Sequence, residues 1–155
     1  MSWAGHLEQI HITAAKRGAM APLDEARLVA GKGIEGDRYF LGTGTYSAKP
    51  EPGRQVTLIE AETLEALARD EGIELSPEQH RRNLTVRGVP LNHLVGRRFR
   101  VGAVVLEATR LNVPCKYLEL VTGKAVYQPL IHRSGLNCII VEGGTIRPGD
   151  PVSPL

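Results

Sequence analysis

The chain is cut into short runs of strand-like composition, each closed by glycine, proline or a small polar cluster, and that punctuation leaves few folds open. From His6 to Thr13, Leu7, Gln9 and His11 alternate with Glu8, Ile10 and Ile12, as a half-buried strand does. Ala26–Ala30, Gln55–Ile59, Leu84–Arg87, Arg98–Val101 and Val104–Leu111 read the same way, with Gly102-Ala103 as a tight hairpin between the last two. Leu136–Glu142 is apolar and β-branched, the pattern of a strand buried on both faces, and Gly143-Gly144 turns the chain back. Pro148-Gly149-Asp150-Pro151 is a turn suited to the mouth of a barrel strand.

Helices are fewer. Glu60–Asp70 has an acidic start, a high alanine content and a stop at Gly72. Ser76-Pro77 reads as an N-cap followed by proline at the first helical position, leading a short helix into Arg81-Arg82-Asn83. Pro114 opens a further short helix through Leu120, and another is expected over Lys124–Ile131. Leu41–Arg54, rich in Gly, Thr, Ser and Pro, reads as a long loop or lid. Many short strands with few helices predict a mainly β fold with α insertions, a β-barrel, because closing a sheet removes its exposed edges. With 155 residues, 42% of them hydrophobic, the expectation is one core and a single domain over residues 1–155.

Charge and leader signals narrow the function. A formal charge of +2, with basic residues spread along the chain, predicts no nucleic-acid surface but leaves small anionic ligands open. The start lacks a basic region followed by an apolar stretch, and no apolar run nears the ~20 residues of a membrane span, so a cytoplasmic protein with no membrane contact is expected. In such a compartment Cys115 and Cys138 are not expected to form a disulfide. The histidines form no zinc motif: His6 and His11 fall on opposite faces of one strand, and His80, His93 and His132 lie in separate segments. Gly31, Gly33 and Gly36 match G-x-G-x-x-G, yet the chain then runs through Asp37-Arg38-Tyr39-Phe40 to Gly42 and Gly44 without opening a long helix. That segment is better read as a turn shaping a pocket edge, with Asp37 and Arg38 at its rim.

Three segments carry candidate chemistry. In Asn112-Val113-Pro114-Cys115-Lys116 a sulfur stands beside a proline-set turn and a cation, surroundings that favour a thiolate; the alternative is a buried cysteine acting as a small hydrophobe. Arg81-Arg82-Asn83 offers two guanidiniums and an amide for a phosphate or a pterin edge, or else a solvated basic turn. His132-Arg133-Ser134-Gly135 has the same two readings. Cys138, inside an apolar run, is expected in the core and less reactive than Cys115.

Taken in order, Gly33-Ile34-Glu35-Gly36-Asp37-Arg38-Tyr39, Arg82-Asn83-Leu84, Pro114-Cys115, Arg133-Ser134-Gly135 and the closing Gly144-Thr145-Ile146-Arg147-Pro148-Gly149-Asp150 resemble the motifs of MOSC domains, the module that ends molybdenum cofactor sulfurase. The resemblance implies a β-barrel and a cysteine, Cys115 by position, that either coordinates molybdenum in the molybdenum cofactor (molybdopterin) or carries sulfur as a persulfide. It further implies that Arg82, Asn83 and Arg133 hold the cofactor's phosphate and pterin, with Asp37 and Arg38 bordering the cavity. At family level it also brings an association with pyridoxal phosphate binding. The activity implied is oxidoreduction, the removal of oxygen from an N-hydroxylated small-molecule substrate with electrons from a separate electron-transfer protein. If the sulfur-carrier reading holds instead, the partner is a cysteine desulfurase. The chain resembles the small stand-alone members rather than the larger reductases with a preceding β-barrel module. A third reading is a barrel that only binds a small anion or a protein partner, with Cys115 structural.

Overall fold

Seven strands close on themselves, the one nearest the C-terminus pairing back onto the first, so the expected β-barrel is the fold of this chain. The computed structural model describes residues 2–15, 18–42, 53–114 and 116–155. Around the barrel run β1 (Gly5–Ile12), β6 (Leu84–Arg87), β5 (Val56–Glu60), β9 (Leu136–Glu142), β8 (Val104–Leu111), β7 (Arg98–Val101) and β11 (Pro151–Pro154). Outside it, β2 (Ala21–Leu23) extends the far half of β1, while β3 (Ala26–Val29), β4 (Gly33–Ile34) and β10 (Gly144–Ile146) form a separate three-stranded sheet. The helices are α1 (Arg38–Leu41), α2 (Ala61–Glu71), α3 (Pro77–His80) and α4 (Lys116–Thr122), with a 3₁₀ turn at Leu91–His93.

Side-chain alternation explains which strands face solvent. In β7, Phe99 and Val101 point into the barrel while Arg98 and Arg100 point out. By contrast β5 and β6 are buried on both faces, because α2 lies across their outer side. Leu7, Leu58, Leu84, Phe99, Val104, Leu106 and Leu136 fill the interior, each contributing roughly 1.5–3 kcal/mol on burial. A smaller cluster outside the barrel joins Leu67, Leu75, Leu118, Val126 and Leu130.

All barrel pairs are antiparallel except β5 with β6. A parallel pair cannot be joined by a tight turn, so the chain leaves the barrel after β5, runs through α2 and α3, and returns at the start of β6. That return point is Arg81-Arg82-Asn83. The crossover is held by local signals: Gly72 ends α2 in the left-handed region (φ 65°), and at the start of α3 the Ser76 N–H donates to Gln79 Oε1 at 3.1 Å ahead of Pro77.

One expected helix is corrected. Lys124–Ile131 is not a helix but a series of turns, with Leu130 N–H donating to Val126 O and Ile131 N–H to Gln128 O. Val126 and Leu130 have helical spacing and are both buried, yet Pro129 supplies no N–H, and Glu119 Oε1 takes the Tyr127 N–H from outside the segment. Most of the expected lid at 41–54, namely residues 43–52, lies outside the described residues, as does Cys115. Among the described residues no helix is long and apolar enough to cross a membrane.

Candidate functional site

Where the crossover returns to the barrel, the Asn83 amide is fully engaged. Its Oδ1 accepts from the Thr57 backbone N–H (3.0 Å) and hydroxyl (3.2 Å), and its Nδ2 donates to His11 O (3.1 Å) and Asp37 Oδ1 (3.3 Å). The Asn83 N–H in turn donates to Thr57 Oγ1 at 3.1 Å. One wholly buried side chain thereby ties β5, β1 and the loop before α1 together, which a buried amide must do to offset its desolvation.

Asp37 is buried to 0% exposure, not placed at a pocket rim. It caps α1: Oδ2 accepts from the Tyr39 N–H at 3.3 Å, while Oδ1 accepts from the Thr13 N–H at 3.2 Å and Arg38 Nη1 at 3.1 Å. Arg38 is buried as well. Its Nη2 donates to Arg81 O at 3.0 Å and to the Tyr39 hydroxyl at 3.1 Å, and the guanidinium lies 4.3 Å from the Tyr39 ring centre. Two charges taken out of water need this density of partners.

Arg82 is aimed from two directions. Its Nε donates to Ser134 O at 3.0 Å and its Nη2 to Ser134 Oγ at 2.7 Å, while Nη1 donates to His80 O at 3.2 Å and the backbone N–H to His80 Nδ1 at 2.9 Å. The loop carrying Ser134 cannot drift. A Cβ added at Gly135 (φ 102°) would stand 1.8 Å from Leu58 O, so only glycine allows this approach to β5. Gly135 O also accepts the Asn112 N–H at 2.7 Å, and Asn112 Nδ2 donates to Asn137 Oδ1 at 2.7 Å. Residues 112–114, which lead to Cys115, are thus anchored to the loop that Arg82 grips.

The structure therefore gathers Asp37, Arg38, Arg82 and Asn83 at one end of the barrel, but Arg133 joins none of them by a hydrogen bond among the described residues. Arg133 Nε donates to Pro129 O at 2.7 Å, and its charge adds to the hydrogen bond from Arg69 that holds the Asp70 carboxyl low. Among the described residues, the two non-glycine positions in left-handed backbone, Arg81 (φ 64°) and His132 (φ 66°), stand directly before Arg82 and Arg133. Such a conformation costs about 1 kcal/mol or more and persists where surrounding contacts over-determine it. Lys116, the cation beside Cys115, is largely exposed, pairs with Glu119 at 3.6 Å and lies over the Tyr127 ring.

Sequence reasoning weighed His80 and His11 only as metal ligands and set them aside. His80 is wholly buried, and because Nδ1 accepts the Arg82 N–H, the ring proton of the neutral form sits on Nε2, which has no partner among the described residues. Burial first, then the charges of Arg82 and His11, push its pKa well below the ordinary histidine value. His11 is lowered too, by burial, with Glu78 opposing. The only signal for His80 was its place two residues before Arg82. Cys138 lies fully buried in the core, and burial pushes its thiol pKa up.

Among the described residues the buried polar set holds three guanidiniums, Arg38, Arg81 and Arg82, against one carboxylate, Asp37, with Ser134, Thr57, Asn83 and Asn112 beside them. This donor-rich, cationic composition suits an anionic ligand with a polar edge, such as a phosphorylated pterin.

The chain is similar to known structures over nearly its whole length. It superposes on the YuaD protein of Bacillus subtilis with a TM-score of 0.81 at 22% identity, covering 97% of this chain and 96% of that one. YiiM from Geobacillus stearothermophilus gives a TM-score of 0.72 at 14% identity, with 97% and 75% covered. YiiM from Escherichia coli gives 0.68 at 17% identity, with 100% and 70% covered. No curated protein matches the sequence. The MOSC domain family model matches residues 35–153, a span that holds the buried cluster from Asp37 to Ser134 and ends in the strand that seals the barrel. This chain belongs to the MOSC domain family, which is associated with molybdenum cofactor binding.

Proposed function

We propose that this protein is a small oxidoreductase that holds a molybdenum-pterin cofactor at the Arg82 end of the barrel and reduces N-hydroxylated small molecules. The observation that carries the reading is the double grip of Arg82 on Ser134, next to the anchored segment 112–114 that leads to Cys115. When bound, such a cofactor supplies the two electrons that, with two protons, convert an N-hydroxyl compound to its amine-type product and water. Arg82 and Asn83 serve the anionic and pterin portions, Arg82 through its fixed guanidinium and Asn83 by setting the backbone around it. Asp37 and Arg38 act one step back, as the braced pair that fixes Arg81 O and the Asn83 amide. Cys115 is the metal ligand in this proposal, a soft thiolate suited to a metal already held by sulfur. Arg133 contributes positive charge at the loop, and electrons arrive from a separate electron-transfer protein.

The persulfide-carrier alternative has less support. It asks Lys116 to stabilise the Cys115 thiolate, whereas the Lys116 ammonium is engaged by Glu119 and Tyr127. Elemental analysis tests the primary reading. Protein purified from a host that makes the cofactor should carry about one molybdenum per chain, lost in Cys115→Ala and reduced in Arg82→Gln. Metal-free wild-type protein from that host overturns it.

A further inference from the structure

Of the four hydrogen bonds that Arg82 donates to other described residues, two go to one residue, His80. His80 presents two acceptors, its ring Nδ1 to the Arg82 backbone N–H at 2.9 Å and its carbonyl to Nη1 at 3.2 Å. Between them the chain turns through left-handed Arg81 (φ 64°), whose carbonyl is held by Arg38 and whose Nη1 donates to Gly18 O at 2.6 Å. A ring nitrogen accepts only while it lacks a proton. Protonated His80 would turn an N–H toward the Arg82 N–H and set a second cation beside the guanidinium.

We propose that His80 is the positioning residue for Arg82, and that its neutral ring, by accepting the Arg82 backbone N–H, keeps the guanidinium in its anion-binding aim, so that acid releases Arg82 and weakens the anion site. This rests on the reading of Arg82 as a residue that holds an anion.

Charged and titratable groups surround His80 on every side. The turn that follows brings Arg81 and Arg82, β1 brings His11, and α3 itself carries Glu78. From α4 and the turn after it come Lys116, Glu119 and Lys124, the last with Nζ 3.0 Å from Gln79 Oε1. Asp37 and Arg38 reach the same backbone through Arg81 O. The ring's own Nε2 is buried without a partner among the described residues, so nothing there rewards protonation. The downward pKa of His80 agrees.

The sign of the pH effect separates this device from general electrostatics. Acidification adds positive charge to any protein and ordinarily tightens anion binding; release of Arg82 does the opposite. Sulfate is the probe, because it remains a dianion throughout the range, and the readouts are its dissociation constant and the Arg82 Nε–H resonance in ¹⁵N NMR, neither of which needs molybdenum. Wild-type affinity should fall about tenfold between pH 7 and the acid pH at which the His80 ring signals show it protonated, with the Arg82 resonance moving over the same range. His80→Asn, which keeps an acceptor oxygen near the Nδ1 position but cannot titrate, should bind at both pH values as wild type does at pH 7. Sulfate affinity unchanged in Arg82→Gln overturns both this proposal and the anion reading. Affinity lost in Arg82→Gln yet rising on acidification of wild type overturns the role of His80 alone. Nitrogen-15 shifts showing a proton on His80 Nδ1 at pH 7 overturn it without any variant.

Discussion

Arg82 and Ser134, 52 residues apart in sequence, are joined by two hydrogen bonds from one guanidinium: Nε to the serine carbonyl and Nη2 to its hydroxyl at 2.7 Å. The pair fastens the end of the crossover to the loop before β9 and decides where the positive charge sits. Removing the hydroxyl leaves the carbonyl contact in place. Ser134→Ala should therefore cost about 1–2 kcal/mol, read from urea unfolding, and lower molybdenum retention without abolishing it.

Asp37 presents a sharper case, because its carboxylate takes four donors with no exposure to solvent. Asp37→Ala strips the Arg38 guanidinium of its buried counter-charge and should destabilise the protein by about 3–5 kcal/mol. Asp37→Asn keeps the volume but turns an NH₂ toward groups that are themselves donors, and its denaturant midpoint should fall between wild type and Asp37→Ala.

Two glycines separate conformational cost from collision. Gly31 has φ 76° with nothing within 4 Å of an added Cβ, whereas at Gly135 the same atom meets Leu58 O at 1.8 Å. Gly31→Ala should cost about 1 kcal/mol. Gly135→Ala must push β9 from β5 or swing the Ser134 loop away from Arg82, and should cost about 3 kcal/mol or more, with loss of cofactor binding. Thermal melts of the two variants side by side check the contrast.

Acid should loosen the fold itself. His80 and His11 both have folded-state pKa values below the ordinary value of 6.5, so the folded protein binds fewer protons than the unfolded chain as pH drops through that value. Their contribution is complete above pH 6.5 and is lost as pH falls toward the depressed folded values. Urea midpoints measured downward from pH 7 should decline, and the decline should be shallower in His80→Asn.

The strands were legible wherever local pattern and burial agree. Leu84–Arg87, Arg98–Val101, Val104–Leu111 and Leu136–Glu142 stand as read, since alternation or unbroken apolarity is all that such strands require. β2, β4 and β11 were not legible, being two to four residues long and defined by what they pair with. Lys124–Ile131 misled because buried spacing at i and i+4 also suits consecutive turns packed on a second cluster. At the site, the arginine and asparagine of Arg82-Asn83 were visible as residue types, but the burial of Asp37 was not. Its partners Thr13, Arg38 and Asn83 include two that lie 24 and 46 positions away, and only the folded chain brings them together. His80 escaped for the same reason: an acceptor nitrogen leaves no trace in composition.

The seam of the barrel joins Gly5 to Val152 and His6 to Pro151, flanked by Leu7 N–H to Asp150 O at 2.9 Å and Gly149 N–H to Leu7 O at 2.7 Å. β1 must therefore wait for β11 to emerge from the ribosome, and no order of events among the strands between them can shorten that interval. The loop closed in this step is among the longest the chain offers, which makes sealing slow relative to hairpin formation. Until then the edges of β1 and β7 stay open to strands from neighbouring nascent chains, so crowded overexpression at high temperature is where exchanged or aggregated barrels should arise.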